Sequence, residues 1–179
     1  MAEPFCTTMA RLVSLRVTRF FLPAITHCPF AWLILTSGAP HWRPDARGTI
    51  SGLTHATGRA HVVRAALESM AHQCHDLARA FAADGASWQL LRIDGGMSAN
   101  DWLAQDLADV LDLPLERLSD TETTARGAAM LAAVGAGLYP DLAAACAMLP
   151  HTRRFVPDMD PATRSARLAG WSALLARSL

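Results

Sequence analysis

The sequence predicts an α/β domain whose sheet is at least partly parallel. Short apolar strand candidates alternate with helical patterns after residue 37, and this order is typical of α/β folds. The chain has 179 residues, 51% of them hydrophobic, and a formal net charge of zero. That composition fits one globular domain and argues against disorder or a nucleic-acid partner held by a basic field.

Residues 1–36 are interpreted as an irregular or partly apolar leader, and residues 37–179 as the folded domain. Three arginines precede an apolar stretch at 20–36, as in a signal peptide or membrane anchor. Two prolines and a histidine interrupt that stretch, and a spanning helix needs about 20 apolar residues. We therefore expect no membrane association, with targeting as the alternative.

The four cysteines are scattered and form no Cys-x-x-Cys pair. A disulfide framework or a structural zinc site is therefore not expected, and a reducing cytoplasm is the predicted location.

The first predicted elements are a strand at 49–53 and a helix at 59–82 that ends at Asp84-Gly85. One apolar stripe with helical spacing is predicted to be its buried face. The stripe consists of Val63, Leu67, Met70, Cys74, Leu77 and Phe81.

Histidines on the same helix leave a metal site as an alternative. His61, His72 and His75 share the helix with Cys74. Because Cys74 belongs to the apolar stripe and the histidines lie mostly off it, we expect a packing helix without a metal ligand set.

A strand at 88–93 leads through Asp94-Gly95-Gly96 into a helix at 99–111. Ser98 and Asp101 resemble a capping box at its start. Its predicted buried stripe is Leu103, Leu107 and Val110. Another strand is predicted at 115–118.

The last elements are helices at 125–138, at 142–148 and from Pro161 onwards. The first is rich in small residues, so Gly127 is expected to allow close packing. Proline suits a first helical position, and the last helix is expected to bury Leu168, Trp171 and Leu175.

The turn after the 88–93 strand is the most informative feature. Gly95 and Gly96 lack a Cβ, so a ligand can approach the backbone closely. Free N–H groups at the start of a helix favour an electron-rich partner. Alone, this strand–turn–helix pattern is a weak sign of a phosphorylated nucleotide, because many turns contain two glycines.

Four segments in order resemble the C-terminal domain of the FGGY carbohydrate kinases, and within them the glycerol kinases. They are Gly-Ala-Pro-His-Trp-Arg-Pro-Asp-Ala-Arg-Gly (38–48), Gly-Thr-Ile-Ser-Gly-Leu-Thr with His-Val-Val-Arg-Ala-Ala-Leu-Glu (48–68), Asp-Gly-Gly-Met-Ser-Ala-Asn-Asp-Trp (94–102) and Thr-Glu-Thr-Thr-Ala-Arg-Gly-Ala-Ala (121–129). The resemblance implies the second domain of an actin-like, ribonuclease-H-like ATPase fold, with a mixed sheet packed with helices. It also implies ATP or ADP with Mg²⁺ as cofactor, bound mainly by this domain.

Gly96 and Asn100 match family positions that contact the adenine nucleotide, whereas Gly95 is expected first to serve the turn and second to lie near the ligand. The alternative is a turn glycine and a first-turn helix asparagine. Asp94 is interpreted either as a group near Mg²⁺ or as a cap of its own loop. Thr121, Thr123 and Thr124 either line the nucleotide cleft or cap the following helix.

The resemblance implies an ATP-dependent polyol kinase of the glycerol kinase type, present as its C-terminal part. The general base belongs to the other domain, so no catalytic residue is assigned and the isolated chain is expected to be inactive. A polyol such as glycerol is expected only with a complementary N-terminal domain. Homo-oligomer formation stays open. The alternatives are a non-catalytic remnant or interaction module and another FGGY kinase such as a pentulose kinase.

Overall fold

The computed structural model describes most of the chain from residue 32 onwards. The described ranges are 32–34, 39–43, 47–120, 122–148 and 152–178. Nearly all of the predicted leader, and Thr121, lie outside them.

Five helices and five strands make up the described fold. In chain order they are β1 (Trp32–Ile34), β2 (Thr49–Ser51), α1 (Arg59–Ala83), β3 (Leu91–Ile93), α2 (Asp101–Leu111), β4 (Leu115–Leu118), α3 (Thr123–Gly135), α4 (Leu142–Ala145), β5 (Thr152–Phe155) and α5 (Pro161–Ser178). Short 3-10 turns precede α2 and follow α4.

The described strands form two sheets. β1 and β2 pair antiparallel. The main sheet has the order β3-β4-β5, with β3 parallel to β4 and β5 antiparallel to β4. The prediction of an α/β fold with a partly parallel sheet is confirmed.

The main core lies where α2 packs between α1 and the sheet. Its buried members are Ala71, Ala104, Leu107, Ala108, Val110, Leu115 and Phe155. The predicted α2 stripe is confirmed, since its three residues are buried. An 11-residue helix with one apolar face and an asparagine cap is well determined by local sequence.

The predicted buried face of α1 is confirmed only in part: four of its six stripe residues are half-buried, and Cys74 packs against the main core. Val63 and Phe81, at the ends of the apolar stripe, are 45% and 44% exposed. Instead Glu68, Ser69 and His72 are buried. The reason is tertiary: α2 and α5 pack on this polar side and bring charged partners to it.

Helix α5 begins at Pro161 as predicted, and Asp160 accepts a hydrogen bond from the backbone N–H of Thr163 at 2.9 Å. Trp171 is buried as predicted. Leu168 and Leu175 are only partly buried, and Leu174 takes the interior position instead.

The predicted strands were partly misplaced. The strand at 88–93 is observed only as Leu91–Ile93, because Trp88 lies exposed against Phe81 with ring centroids 5.4 Å apart. The strand at 49–53 ends at Ser51. β1 and β5 were not predicted, and β5 shows no alternation that marks a strand, being exposed at three of four residues.

Helix α3 does not pack through its glycine as expected. Among the described residues, nothing lies within 4 Å of a Cβ built on Gly127. Met130 and Ala133 are the buried residues of α3. In the described part of the chain, no helix has the length and apolar character required to cross a membrane.

Candidate functional site

The candidate site is the turn that follows β3. β3 ends at Ile93, beside its parallel neighbour β4, so the turn leaves the sheet at the carboxyl end of parallel strands. In open α/β sheets, ligands bind at this edge. Gly95 has a φ of 83°, a left-handed conformation that favours glycine.

Ser98 stabilises the turn from within. Its hydroxyl donates to the Gly95 carbonyl at 2.7 Å, and the side chain is buried. Ser98 therefore does not cap α2, and the predicted capping box with Asp101 is wrong. A serine three residues after a turn carbonyl can close the turn as readily as it can cap a helix.

Both glycines of the turn face open space. Among the described residues, nothing lies within 4 Å of a Cβ built on Gly95 or Gly96. Unlike Gly95, Gly96 does not have a left-handed φ. The described fold thus explains a glycine at position 95 through its backbone conformation but gives no packing reason for one at 96.

Asn100 is the N-cap of α2. Its Oδ1 accepts hydrogen bonds from the backbone N–H of Trp102 at 3.0 Å and of Leu103 at 3.3 Å. Two of the N–H groups that were expected to attract an electron-rich partner are therefore already bonded. The Nδ2 amide of Asn100 is the part of this side chain that can donate to a ligand.

Asp94 links the turn to α3. Its Oδ2 accepts a hydrogen bond from the Thr123 hydroxyl. Asp94 thus reaches across to another element, a role that neither sequence interpretation foresaw. Thr123 is the first residue of α3, and the N-cap position belongs to Glu122. The structure therefore brings two of the four motif segments together.

Two arginines that the sequence did not mark reach the turn and the start of α2 from the sheet. Arg117 of β4 donates to the Ser98 carbonyl and, at 2.8 Å, to Asp101 Oδ1. Arg153 of β5 donates to Asp101 Oδ2 at 2.6 Å. Because strand residues two apart share a face, Arg117 lies on the side of buried Leu115, which was an available signal.

The Asp101 carboxyl responds to both arginines. Burial acts to raise its pKa, but the hydrogen bonds and positive charges of Arg117 and Arg153 outweigh burial and hold the pKa below its ordinary value. The carboxylate therefore remains ionised in neutral solution and keeps both arginines bonded.

Metal ligands are not clustered in the described ranges. No group of three or more His, Cys, Asp or Glu side chains lies together there. Asp94 is an exposed carboxylate at the turn. The thiols of Cys74 and Cys146 are free.

Comparisons with known proteins agree with this geometry. Residues 31–136 match the C-terminal domain of the FGGY family of carbohydrate kinases. A glycerol kinase of Rhodospirillum centenum is 53% identical over 141 residues, which cover 79% of this chain and 28% of that protein. The chain thus spans less than a third of the length of this relative.

Solved structures show the same fold. The crystal structure of Plasmodium falciparum glycerol kinase with ADP has a TM-score of 0.72 at 31% identity, covering 86% of this chain and 31% of that one. A xylulose kinase of Rhodospirillum rubrum has a TM-score of 0.66 at 23% identity, and the match covers 96% of this chain and 34% of that one. The predicted actin-like, ribonuclease-H-like fold is confirmed.

Proposed function

Because this chain belongs to the FGGY family of carbohydrate kinases, we propose that its 94–100 turn binds the adenine nucleotide of a phosphoryl-transfer reaction. The observation that carries the proposal is the open space over Gly96, next to the Asn100 amide and at the carboxyl end of parallel strands. The relative whose structure contains ADP supports the same choice of ligand.

The chain's own residues would divide the binding between them. The backbone at Gly96 would lie against the nucleotide, where a side chain would block it. Asn100 would donate from Nδ2, while Oδ1 keeps the amide oriented by capping α2. Asp94, held by Thr123, would lie near the phosphates.

Mg²⁺ would arrive with the nucleotide. It binds through few carboxylates and several waters in such sites, so one exposed aspartate is compatible with it. The ion would neutralise phosphate charge, and the residues of this chain would position the nucleotide.

We further propose that the reaction is transfer of the γ-phosphoryl group of ATP to a hydroxyl of glycerol. The relative named glycerol kinase supports this substrate. Such transfer depends on positioning and electrostatic stabilisation, which need the groups of a complete site. The general base is proposed to lie in a complementary domain, and the cytoplasm is the proposed location.

The binding proposal is tested by calorimetry of ATP and ADP with the 179-residue chain and its Asn100→Ala variant. We expect saturable heats for the unsubstituted chain and at least roughly tenfold weaker binding for the variant, since a donor to the ligand is lost. Equal affinities would remove Asn100 from the site, and no heat with either protein would overturn the binding proposal.

The kinase proposal for the isolated chain is tested by ATP-dependent phosphorylation of glycerol. We expect no turnover above a reaction without protein, because the general base is absent from these residues. Measurable turnover would show that the 179 residues contain the catalytic groups themselves.

An interaction module is the second candidate, favoured by exposed apolar side chains on α1 and in the loop after it. Val63, Phe81 and Trp88 are each more than 40% exposed. Exposed large apolar side chains can belong to a surface that another protein body covers. Light scattering at increasing concentration tests self-association, and a strictly monomeric chain would favour a complementary domain as the body that covers these side chains.

A further inference from the structure

Arg117 lies directly beneath the proposed nucleotide turn. It is the third residue of β4 and pairs in register with Ile93, the last residue of β3. Only 10% of its side chain is exposed. A buried guanidinium requires several hydrogen-bond or ion-pair partners to offset its desolvation. The partners of Arg117 therefore show which part of the chain it holds in place.

The guanidinium of Arg117 contacts the chain on both sides of Asn100. One nitrogen, Nη1, donates to the carbonyl of Ser98, two residues before Asn100. The other, Nη2, donates to the Asp101 carboxylate, directly after it, at 2.8 Å. A planar, two-pronged donor thereby fixes the distance between the two flanks of Asn100.

The guanidinium is itself held by packing. Its central carbon lies 5.4 Å from the ring centroid of Phe155, which is 5% exposed. Stacking on a buried ring restricts the rotamers of the arginine. The sheet, through Phe155 and Arg117, is thus connected rigidly to the turn.

Arg153 provides a natural comparison within the same cluster. It bonds the other oxygen of Asp101 at 2.6 Å and lies 5.1 Å from the same ring, but 57% of its side chain is exposed. The structure gives it no bond to the carbonyl of Ser98. Exposed ion pairs of this kind contribute little.

We propose that Arg117 is a positioning residue that places Asn100 for nucleotide binding, and this inference rests on the proposed function of the 94–100 turn. Arg117 touches the flanks of Asn100 and acts on the ligand through that side chain. Its role requires the forked geometry of a guanidinium as well as its positive charge.

The test is a set of ADP titrations by calorimetry on the full 179-residue chain. Arg117→Lys keeps the charge and loses the fork, so we expect roughly 10- to 100-fold weaker binding from a displaced Asn100. Arg117→Met should weaken binding at least as much. Arg153→Met, the matched control, should stay within about threefold of the unsubstituted chain.

A double-mutant cycle separates positioning from a general structural role. If Arg117 acts through Asn100, Arg117→Lys should cost almost nothing further in an Asn100→Ala background. A merely structural role would cost the same factor in both backgrounds. Asp101→Asn, at an exposed side chain that tolerates change, should weaken binding several-fold and keeps the test available if the Arg117 variants do not fold.

Each outcome decides between the two proposals. An unsubstituted chain without ADP binding, or an Asn100→Ala variant with unchanged affinity, overturns the proposed function and this inference with it. Weaker binding by Asn100→Ala, together with unchanged binding by Arg117→Lys and Asp101→Asn, overturns only the role of Arg117. Additive losses in the cycle would also overturn it.

Discussion

Gly95 and Gly96 are neighbours in the turn, yet the fold gives a reason for a glycine only at position 95. Gly95 has a φ of 83° and a ψ of 166°, a backbone region that is essentially restricted to glycine and costs a residue with a side chain about 1–3 kcal/mol. Gly96 has no such conformation and no atom of the described structure near its missing Cβ. This open space at Gly96 supports the proposed close approach of the nucleotide.

Alanine at each position separates these roles. Gly95→Ala should lower the free energy of unfolding by about 1–3 kcal/mol, measured by urea denaturation. Gly96→Ala should leave that free energy within about 0.5 kcal/mol but weaken ADP binding. If Gly96→Ala binds ADP as tightly as the unsubstituted chain, the nucleotide does not lie over that glycine.

His72 shows how burial changes a single residue. It is fully buried, and its ring stacks on Trp171 with centroids 5.2 Å apart. Burial, supported by the positive charge of Arg167, lowers the pKa of His72 from 6.5 to about 4. The neutral imidazole is therefore the form that the folded protein prefers.

The lowered pKa predicts a pH dependence of stability. Between pH 6.5 and about 4 the unfolded chain binds a proton at His72 that the folded chain does not. Stability is therefore complete above pH 6.5 and falls by roughly 3 kcal/mol as the pH drops through this window. Urea denaturation at several pH values should show this fall diminished in His72→Gln and retained in His55→Gln, which changes an exposed histidine. An equal fall in both variants would refute the assignment.

At the scale of elements, a buried ion cluster joins three helices. Arg167 of α5 bonds Asp106 of α2 through two nitrogens, at 2.6 and 3.1 Å. It also lies 3.9 Å from Glu68 of α1. All three side chains are at most 6% exposed, so the cluster fixes the packing of α5 on the two helices.

Removing the arginine should leave the buried Asp106 carboxylate without its cation, whereas Glu68 keeps Arg64 at 2.6 Å. We expect Arg167→Met to lower the free energy of unfolding by about 3–5 kcal/mol. Arg164→Met on the same helix is the control, because its partner Asp112 is 58% exposed, and its cost should be about 0–1 kcal/mol. Similar costs for both variants in urea denaturation would contradict the role of the cluster.

The same cluster explains why sequence predicted some elements better than others. The stripe of α2 and the proline start of α5 depend on neighbours along the chain, and both were predicted. The buried face of α1 depends on Arg167, 99 positions after Glu68, and periodicity alone selected the more apolar face. β5 is paired by β4 and has no strand pattern of its own.

In the candidate site, too, the features set by neighbouring residues were predicted and those set by distant residues were not. Its glycines and Asn100 belong to one continuous motif and were predicted from the residues and the family resemblance. The supports come from distant positions: Thr123 reaches Asp94 from α3, and Arg117 reaches Asp101 from β4. No local pattern indicates such contacts, so they required the structure.

As a whole, the chain matches the C-terminal domain of its family. The 141 residues aligned with the glycerol kinase of Rhodospirillum centenum are 28% of that protein, so the relative is more than three times as long as the matched segment. The proposed part of this chain in the chemistry is to hold the nucleotide. The exposed side chains of Val63, Phe81 and Trp88 are the proposed contacts for another domain or copy.

Nucleotide is proposed to lie against the turn after β3. An NMR titration of the nitrogen-15-labelled chain with ADP, following the backbone amide signals, tests this placement. We expect saturable shifts concentrated at residues 94–100 and at the start of α3. Saturable shifts confined to α1, or no shifts at millimolar ADP, would show that nucleotide does not bind at the turn.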